Sequence, residues 1–416
     1  MLSKYYTLLR KRNFSLLWFG QVISQFGDRL TQIALVGLIS QATMSSTGLA
    51  FIMSMAIIPV FIVSPISGVY VDRWSKKRTM YVSDLLRAVF ILLIPLFFLK
   101  FKTMIPIYAL IFLSFSAGRF FIPAKMAFIP QVVDKENIFL ANSLVSITAT
   151  IAAVLGVGLG GIIVERYGVT TAFIVDAATF FVSGLAIVFI SIKEGGKFLP
   201  KDIIDIGKDV VTTVKKSFAH ELKEGIQYIF KSSETKYAFK TFLFLFSYIG
   251  ALYVVFIRFI QNTLSSVTKD LGFVVVSLGA GLFISSLIYG RIAHRISIKK
   301  TVNIAIVISS IYLIFFAVFL KHHPSSLSAI LLSFVLGTLI SPALIGVNAL
   351  IHRESNADLL GRIFSALEFV SHLGFLIAMF LSSIIADIFS PFTVIVSIGI
   401  IGFLFSLIFA FGNDTR

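Results

Sequence analysis

Five ionisable side chains inside long apolar stretches of the chain are candidates for a role in chemistry or binding. They belong to the first, fourth and eleventh stretches and are Asp28, Arg29, Arg119, Glu368 and His372. Ionisable groups at membrane depth are costly and most often take part in function. A carboxylate or an imidazole can carry a proton there, and an arginine can hold a counter-charge. The pattern therefore predicts a proton-coupling or substrate site in apolar surroundings.

The first and fourth stretches supply the leading pair of charges. Asp28 lies about 14 residues into its stretch, roughly 21 Å along a helix and near mid-depth. Arg29 points about 100° away around that helix, so the two neighbours need not pair. We predict an ion pair between Asp28 and Arg119, either within a functional site or as a static pair that stabilises the first half of the chain.

Glu368 and His372 are four residues apart and share one helix face. Both can bind a proton, so either is a second candidate for proton or substrate binding. Glu368 lies about six residues from the end of its stretch, and a simple reach to water explains it equally well. Asp176 and Arg258 lie nearer the ends of their stretches, where snorkelling to the interface explains them.

A short basic loop follows the second stretch and forms a candidate gate. It reads Gly68-Val-Tyr-Val-Asp72-Arg73-Trp-Ser-Lys76-Lys77-Arg78, and a related run with Gly290, His294 and Arg295 recurs 222 residues later. Asp84 and Arg87, three residues apart in the third stretch, are predicted to form a structural pair that supports this loop.

The loop residues have a physical interpretation beyond their charge. Gly68 lacks a side chain, so a neighbouring helix can approach closely. Asp72 stands at the inner end of the second helix, where it can face the positively charged N-terminus of the eleventh. A purely topological anchor has no use for an acid. We therefore favour a gating role over the alternative, a basic anchor at the membrane surface.

Twelve apolar stretches must position these residues, and they predict an all-α membrane protein. Of the 416 residues, 57% are hydrophobic and 13% are charged, whereas a soluble domain is less apolar and about twice as charged. A membrane-spanning helix needs about 20 apolar residues. The predicted spans are 14–40, 48–71, 79–99, 103–124, 138–164, 169–191, 239–263, 271–290, 301–320, 327–350, 363–386 and 391–412.

The net charge of +16 follows from membrane topology rather than from a nucleic-acid partner. With both termini placed in the cytoplasm, the inside segments hold 27 of the 36 Lys and Arg residues, Lys240 at the edge of the central segment included. The outside segments hold five, namely Lys100, Lys102, Arg166, Lys269 and Lys321. This asymmetry follows the positive-inside rule. The chain has no cysteine, which excludes disulfides and thiolate metal sites.

The polar segment 192–238 is predicted to link two six-helix bundles, 1–191 and 239–416. Its apolar residues recur at helical spacing, which predicts an amphipathic helix on the cytoplasmic face. Six plus six spans with a parallel repeat is a transporter architecture, with the substrate expected near the membrane midplane between the halves. In the fifth stretch, Gly156 and Gly160 form a small-residue face for close helix packing.

In these features the chain resembles the major facilitator superfamily over essentially its whole length. The run 68–78 matches that superfamily's loop motif, glycine-x-x-x-Asp-Arg-x-x-(Arg/Lys)-(Arg/Lys). Three runs look like the branch that contains macrolide-efflux pumps, siderophore exporters and lysophospholipid transporters: Gln25-Phe26-Gly27-Asp28, Phe121-Ile-Pro123-Ala124 and Ala141-Asn142-Ser143-Leu144. The chain departs from drug antiporters in two places: its fifth helix lacks their proline, and its fourth has Arg119 without the rest of their pattern. The resemblance implies that the charged residues of this loop lock the outward-facing state of the transporter. In the second half His294 replaces the acid, which implies a lock that is weaker or depends on pH.

These features predict a carrier and not an enzyme. The chain contains no Walker-type phosphate loop, so the expected energy source is an ion gradient, most simply of protons. We predict a monomeric antiporter in the cell inner (plasma) membrane that exports amphipathic, hydrophobic or cationic drug-like molecules, surrounded by membrane lipids and without cofactor or bound metal. Three alternatives stay open: a lysophospholipid transporter, a metal exporter suggested by Gly27-Asp28-Arg29 with His372, and a membrane receptor or scaffold without transport.

Overall fold

The chain is helical throughout the part that the structure describes. This computed structural model describes residues 2–101, 103–192, 233–292, 296–354 and 360–411, and these ranges contain no β-strand. The first helices are α1 (Leu2–Leu9), α2 (Arg12–Ala42), α3 (Ser46–Ile62), α4 (Ser64–Arg73), α5 (Lys76–Phe101), α6 (Ile105–Val132) and α7 (Ile138–Val188). The later helices are α8 (Ser233–Leu264), α9 (Lys269–Ile292), α10 (Ile298–His322), α11 (Ser326–Glu354), α12 (Leu360–Ile388) and α13 (Pro391–Phe411).

The composition of these helices suits a membrane. Within the described ranges, nine helical segments are long and apolar enough to cross a bilayer, and the shorter α3 is apolar as well. The helix α2 has 31 residues but is less apolar, because its middle carries Gln21, Gln25, Asp28, Arg29 and Gln32. The predicted all-α membrane class is confirmed, and the count of twelve spans stays a prediction.

Two single residues, Gly168 and Pro65, interrupt the helices. Gly168 lies between two predicted spans, and Pro65 lies inside the predicted span 48–71. Gly168 interrupts the run of α7 with a φ of 85° and a ψ of 162°, a conformation that glycine adopts without the penalty of a side chain. It separates the predicted spans 138–164 and 169–191. Pro65 stands in the first turn of α4, and its missing N–H and its ring end α3 just before it.

The described residues form two compact units. Unit 1 is drawn from residues 1–41 and 52–217, and unit 2 from residues 42–51 and 218–416. The limits predicted from the sequence for the two bundles and their linker stay a prediction, because 193–232 lies outside the described residues.

Each unit has its own apolar interior. In unit 1, α5 packs against α6 and α7, and its buried rings include Phe128, Phe173 and Phe180. In unit 2, α8 packs against α12, α9 against α11, and α10 against α11 and α13. Its largest buried apolar side chain is Phe316. Close van der Waals packing of this kind holds helices together where lipid removes most of the hydrophobic driving force.

Candidate functional site

Unit 1 contains a polar cavity of about 280 Å³ between its apolar helices. Three helices supply its walls. The lining residues are Gln21, Ser24, Gln25, Asp28, Arg29 and Gln32 from α2, Asp84 and Arg87 from α5, and Phe115, Gly118, Arg119, Phe121, Ile122 and Lys125 from α6. The structure therefore brings together three of the five ionisable residues that the sequence singles out for transport, and adds Asp84, Arg87 and Lys125.

Asp28 forms an ion pair with Arg87, not with the predicted partner Arg119. The Arg87 guanidinium lies 3.8 Å from the centroid of the Phe180 ring, so the side chain is held between α7 and the carboxylate on α2. Arg119 lies on the α6 wall of the same cavity. The correction has a simple cause: α5 stands close enough for a long side chain to reach Asp28, and helix neighbours cannot be read from helix positions alone.

The predicted pair between Asp84 and Arg87 is also replaced by other partners. Ser183 on α7 donates a hydrogen bond of 2.6 Å to Asp84 Oδ2, while Arg87 bonds to Asp28. The second carboxylate oxygen, Asp84 Oδ1, is buried and receives no donor from the described residues. Residues three apart on a helix face the same side, yet here both side chains reach across to other helices.

Asp176 is a fully buried acid whose importance the sequence did not reveal. Thr31 on α2 donates a hydrogen bond to its Oδ2. The Thr179 hydroxyl on α7 lies 3.1 Å from its Oδ1 and 2.7 Å from its backbone carbonyl oxygen, and its one hydrogen is shared between them. The predicted snorkelling to the membrane surface is wrong, because the carboxylate is fully buried inside the unit. Gly27 makes the contact possible, since a Cβ there would collide with Asp176 Oδ1 and Thr179 Oγ1. The spacing Asp176-x-x-Thr179 on one helix face was the available signal.

The two glycines predicted for helix packing lie against α2. A Cβ on Gly156 would stand 2.7 Å from the Cβ of Arg29, and one on Gly160 would stand 3.2 Å from Leu30 Cδ2. Close approach of this kind is what small residues allow between membrane helices. It also fixes Arg29, whose guanidinium donates a hydrogen bond of 3.0 Å to Gln32 Oε1.

Within the basic loop, one lysine has a defined structural role. Lys77 Nζ donates hydrogen bonds to the carbonyl oxygens of Val188 and Ile190, at 2.9 and 2.7 Å, where α7 ends. A cation at a helix C-terminus satisfies otherwise unpaired carbonyls. Arg73 and Arg78 are exposed, and Lys76 is half-buried.

The close helix approach predicted at Gly68 is not present in the described part of the chain, where a Cβ at this position would have no atom within 4 Å. The helix α4 packs through another face: Tyr70 and Trp74 contact the Phe120 ring of α6, roughly 200–240° around the helix from Gly68. The side chain of Asp72 lies outside the described residues, so its predicted contact stays a prediction.

The candidate residues of the second half belong to unit 2. His372 Nδ1 donates a hydrogen bond of 2.8 Å to the Glu368 carbonyl oxygen one turn earlier, and the Glu368 side chain is exposed. Gly290 has open space around its missing Cβ among the described residues. His294 and Arg295 lie outside the described residues.

A second polar cluster, in unit 2, was not predicted. Asp387 at the end of α12 accepts hydrogen bonds from the Ser46 and Thr47 backbone N–H groups, at 2.6 and 2.9 Å, at the N-terminus of α3. Arg258, predicted to snorkel, is fully buried and donates to the Thr43 and Ser45 carbonyl oxygens at 3.1 and 3.0 Å. The acid at a helix N-terminus is electrostatically favourable, and the cluster attaches residues 42–51 to unit 2.

A comparison with known proteins identifies the family. The family model described as transmembrane secretion effector matches residues 3–351. The chain belongs to this family of major facilitator transporters. The resemblance read from the loop motif is thereby confirmed at the level of the superfamily and its efflux branch.

Relatives of this chain are similar at 20–25% identity. YvqJ of Bacillus subtilis, an MFS-type transporter, is 25% identical over 53% of this chain and 51% of its own length. The multi-drug resistance efflux pump PmrA of Streptococcus pneumoniae is 25% identical over 91% of this chain and 90% of its own length. Macrolide efflux protein A of Streptococcus pyogenes is 20% identical over the same shares. The chain is thus related to transporters.

A solved structure agrees on the fold. The nucleoside transporter NupG matches with a TM-score of 0.71 over 96% of this chain and 97% of its own, at 13% identity. That likeness shows the fold and carries no information about the substrate of this chain.

Proposed function

We propose that this protein is a proton-coupled exporter of small amphipathic molecules that works by alternating access. The observation that carries the proposal is the Asp28–Arg87 ion pair on the wall of a polar cavity, inside helices otherwise suited to lipid. The names of PmrA and macrolide efflux protein A support export as the direction. Ionisable groups held at this depth are a cost that a transport function explains.

The pair offers a physical route to coupling. A proton on Asp28 removes the negative charge that holds Arg87, so protonation and opening of the pair favour each other. A substrate that competes for Arg87 then changes the affinity of Asp28 for a proton, and by linkage the proton changes the affinity for substrate. Exposure of the cavity to one side of the membrane and then to the other converts this linkage into exchange.

A transport assay tests the proposal directly. We expect the purified protein in liposomes to accumulate at least one member of a panel of amphipathic dyes, macrolides and lysolipids when a pH gradient is imposed, and to lose this accumulation when the gradient is collapsed with an ionophore. Accumulation that ignores the pH gradient for every member of the panel would contradict proton coupling.

The orientation of the chain gives a second test. We place the protein as a monomer in the cell inner membrane with both termini in the cytoplasm, because Lys and Arg concentrate in the segments assigned inside. Ser191 and Ser325 are exposed, and the chain has no native cysteine. Ser325→Cys should react with a membrane-impermeant maleimide in intact cells, and Ser191→Cys only after the cells are opened. The opposite labelling pattern would reverse the topology.

The basic loop leads to a gating prediction. Asp72→Asn should lower the transport rate about fivefold, because a carboxylate at a helix N-terminus contributes about 1 kcal/mol of electrostatic stabilisation. The amount of protein in the membrane should not change. Asp72→Glu, which keeps the charge, should retain most of the rate. Initial rates normalised to protein level measure both variants. Equal rates for Asn and wild type would reduce the loop to a topological anchor.

A further inference from the structure

The cavity of unit 1 contains more positive than negative side chains. Its lining has four cations, Arg29, Arg87, Arg119 and Lys125, and two acids, Asp28 and Asp84. Four minus two leaves an excess of two positive charges, and one remains when the buried Asp176 beside α2 is counted. A cavity with this balance favours an anion electrostatically.

Two of the cations form no salt bridge with an acid among the described residues. Arg87 is paired with Asp28, whereas the Arg29 guanidinium reaches only the neutral amide of Gln32. Lys125 Nζ lies 6.0 Å from the centroid of the Phe121 ring. Asp84 and Asp28 act on it electrostatically, but it forms no salt bridge within the described residues. Cations held without a directly paired counter-charge in an apolar bundle are costly, and a bound anion offsets that cost.

Neutral donors on the same wall point to the same ligand chemistry. The amide nitrogens Gln21 Nε2 and Gln25 Nε2 are buried and have no acceptor among the described residues. Both side chains line the cavity from α2. Buried donors without acceptors destabilise a protein. A carboxylate or phosphate offers several acceptor oxygens, and bonds to a charged group are the stronger ones.

Another part of the lining is apolar. Phe115, Phe121 and Ile122 face the cavity from α6. We propose that the substrate is an amphipathic anion, with a carboxylate or phosphate bound near Arg29 and Lys125 and an apolar body against these side chains. This inference rests on the proposed export function for its physiological meaning, and it replaces the cationic substrates expected from the sequence.

Equilibrium binding tests the charge preference without any transport step. The probes are two dansyl-labelled alkyl compounds of equal chain length, one ending in a carboxylate and the other in a trimethylammonium group. With the full chain in a neutral detergent, the carboxylate probe should bind at least about tenfold more tightly. Equal or tighter binding of the ammonium probe, or no saturable binding of either, would overturn the inference.

Variants assign the preference to the cavity. Lys125→Gln should weaken binding of the carboxylate probe about tenfold, Lys125→Glu should weaken it further, and Lys125→Arg should retain it. Lys240→Gln removes an exposed lysine of α8 and should have no effect. Size-exclusion profiles identify any variant that is misfolded, and Arg29→Gln then serves as the second cavity variant. Wild-type binding in well-folded Lys125→Glu would overturn the inference.

The same probes in liposomes separate this inference from the proposed function. Anion-selective binding without uphill movement would leave the inference standing and defeat the export proposal. Uphill movement of both probes at equal rates would support the export proposal and overturn the inference of an anionic substrate. Two competitors then identify the source of the anion. If lysophosphatidylglycerol displaces the bound carboxylate probe more strongly than a soluble acyl carboxylate does, the natural ligand is a lipid with an anionic headgroup. If the order is opposite, the natural ligand is a free amphiphile. Displacement by neither would overturn the inference.

Discussion

Asp28→Asn is expected to abolish substrate accumulation driven by a pH gradient, down to the level of empty liposomes, while downhill movement partly survives. An asparagine keeps the size of the side chain and cannot take up or release a proton. Asp28 lies near the middle of α2, and in the described structure it is the partner of Arg87. The substitution therefore removes the proton-binding group and the switchable contact together.

The loss must be separated from simple destabilisation. Removing one partner of a fully buried ion pair costs about 3–5 kcal/mol, because the other charge is left uncompensated, and the partly exposed Asp28 places this pair below that range. The double variant Asp28→Asn with Arg87→Gln removes both charges. We expect it to regain thermal stability in detergent and to remain unable to accumulate substrate. Recovery of accumulation in the double variant would make the pair a structural element and not the coupling site.

A matched substitution elsewhere provides the control. Asp134 forms a surface ion pair with Lys11, and the hydrogen bond from Lys11 holds the pKa of that carboxyl below its usual value. Asp134→Asn makes the same chemical change outside the cavity and should accumulate substrate at the wild-type rate. If Asp28→Asn also pumps at the wild-type rate, the coupling acid must be sought at Asp84, Glu368 or His372.

Gly27→Val is expected to destabilise unit 1 by roughly 1–3 kcal/mol or more, seen as a fall of several degrees in the midpoint of thermal unfolding in detergent. A Cβ at this position would overlap Asp176 Oδ1 and Thr179 Oγ1. Moving those side chains away breaks the hydrogen bonds that satisfy the buried Asp176 carboxylate. A buried carboxylate without its donors adds to the cost of overpacking.

The control for this change is a glycine in open space. A Cβ at Gly290 has no atom within 4 Å in the described structure, so Gly290→Val should leave the unfolding midpoint nearly unchanged. Thermal unfolding in detergent compares the two variants without any transport assay. A smaller loss of stability for Gly27→Val than for Gly290→Val would show that α2 and α7 are not packed as described here.

The sequence by itself determined the helices and the family. Runs of about 20 apolar residues are long enough to leave little choice but a spanning helix, and the observed limits of α8 to α13 lie within a few residues of the predicted spans. The loop run from Gly68 to Arg78 was sufficient to indicate the major facilitator superfamily. Asp28, Arg29 and Arg119 could be singled out because charges are rare in such helices, and the structure shows all three in the lining of one cavity.

The tertiary structure alone decided which of these groups bond to one another. Pairing depends on which helices are neighbours and on how each is rotated about its axis, and neither is encoded in hydropathy. Hence Asp28 bonds to Arg87 from α5 rather than to Arg119, and Asp84 bonds to Ser183. Asp176 resembled a surface group in the sequence and is fully buried against two threonines, since the absent side chain of Gly27 lets α7 approach α2. The excess of positive charge in the cavity became visible only when α2, α5 and α6 were assembled around it.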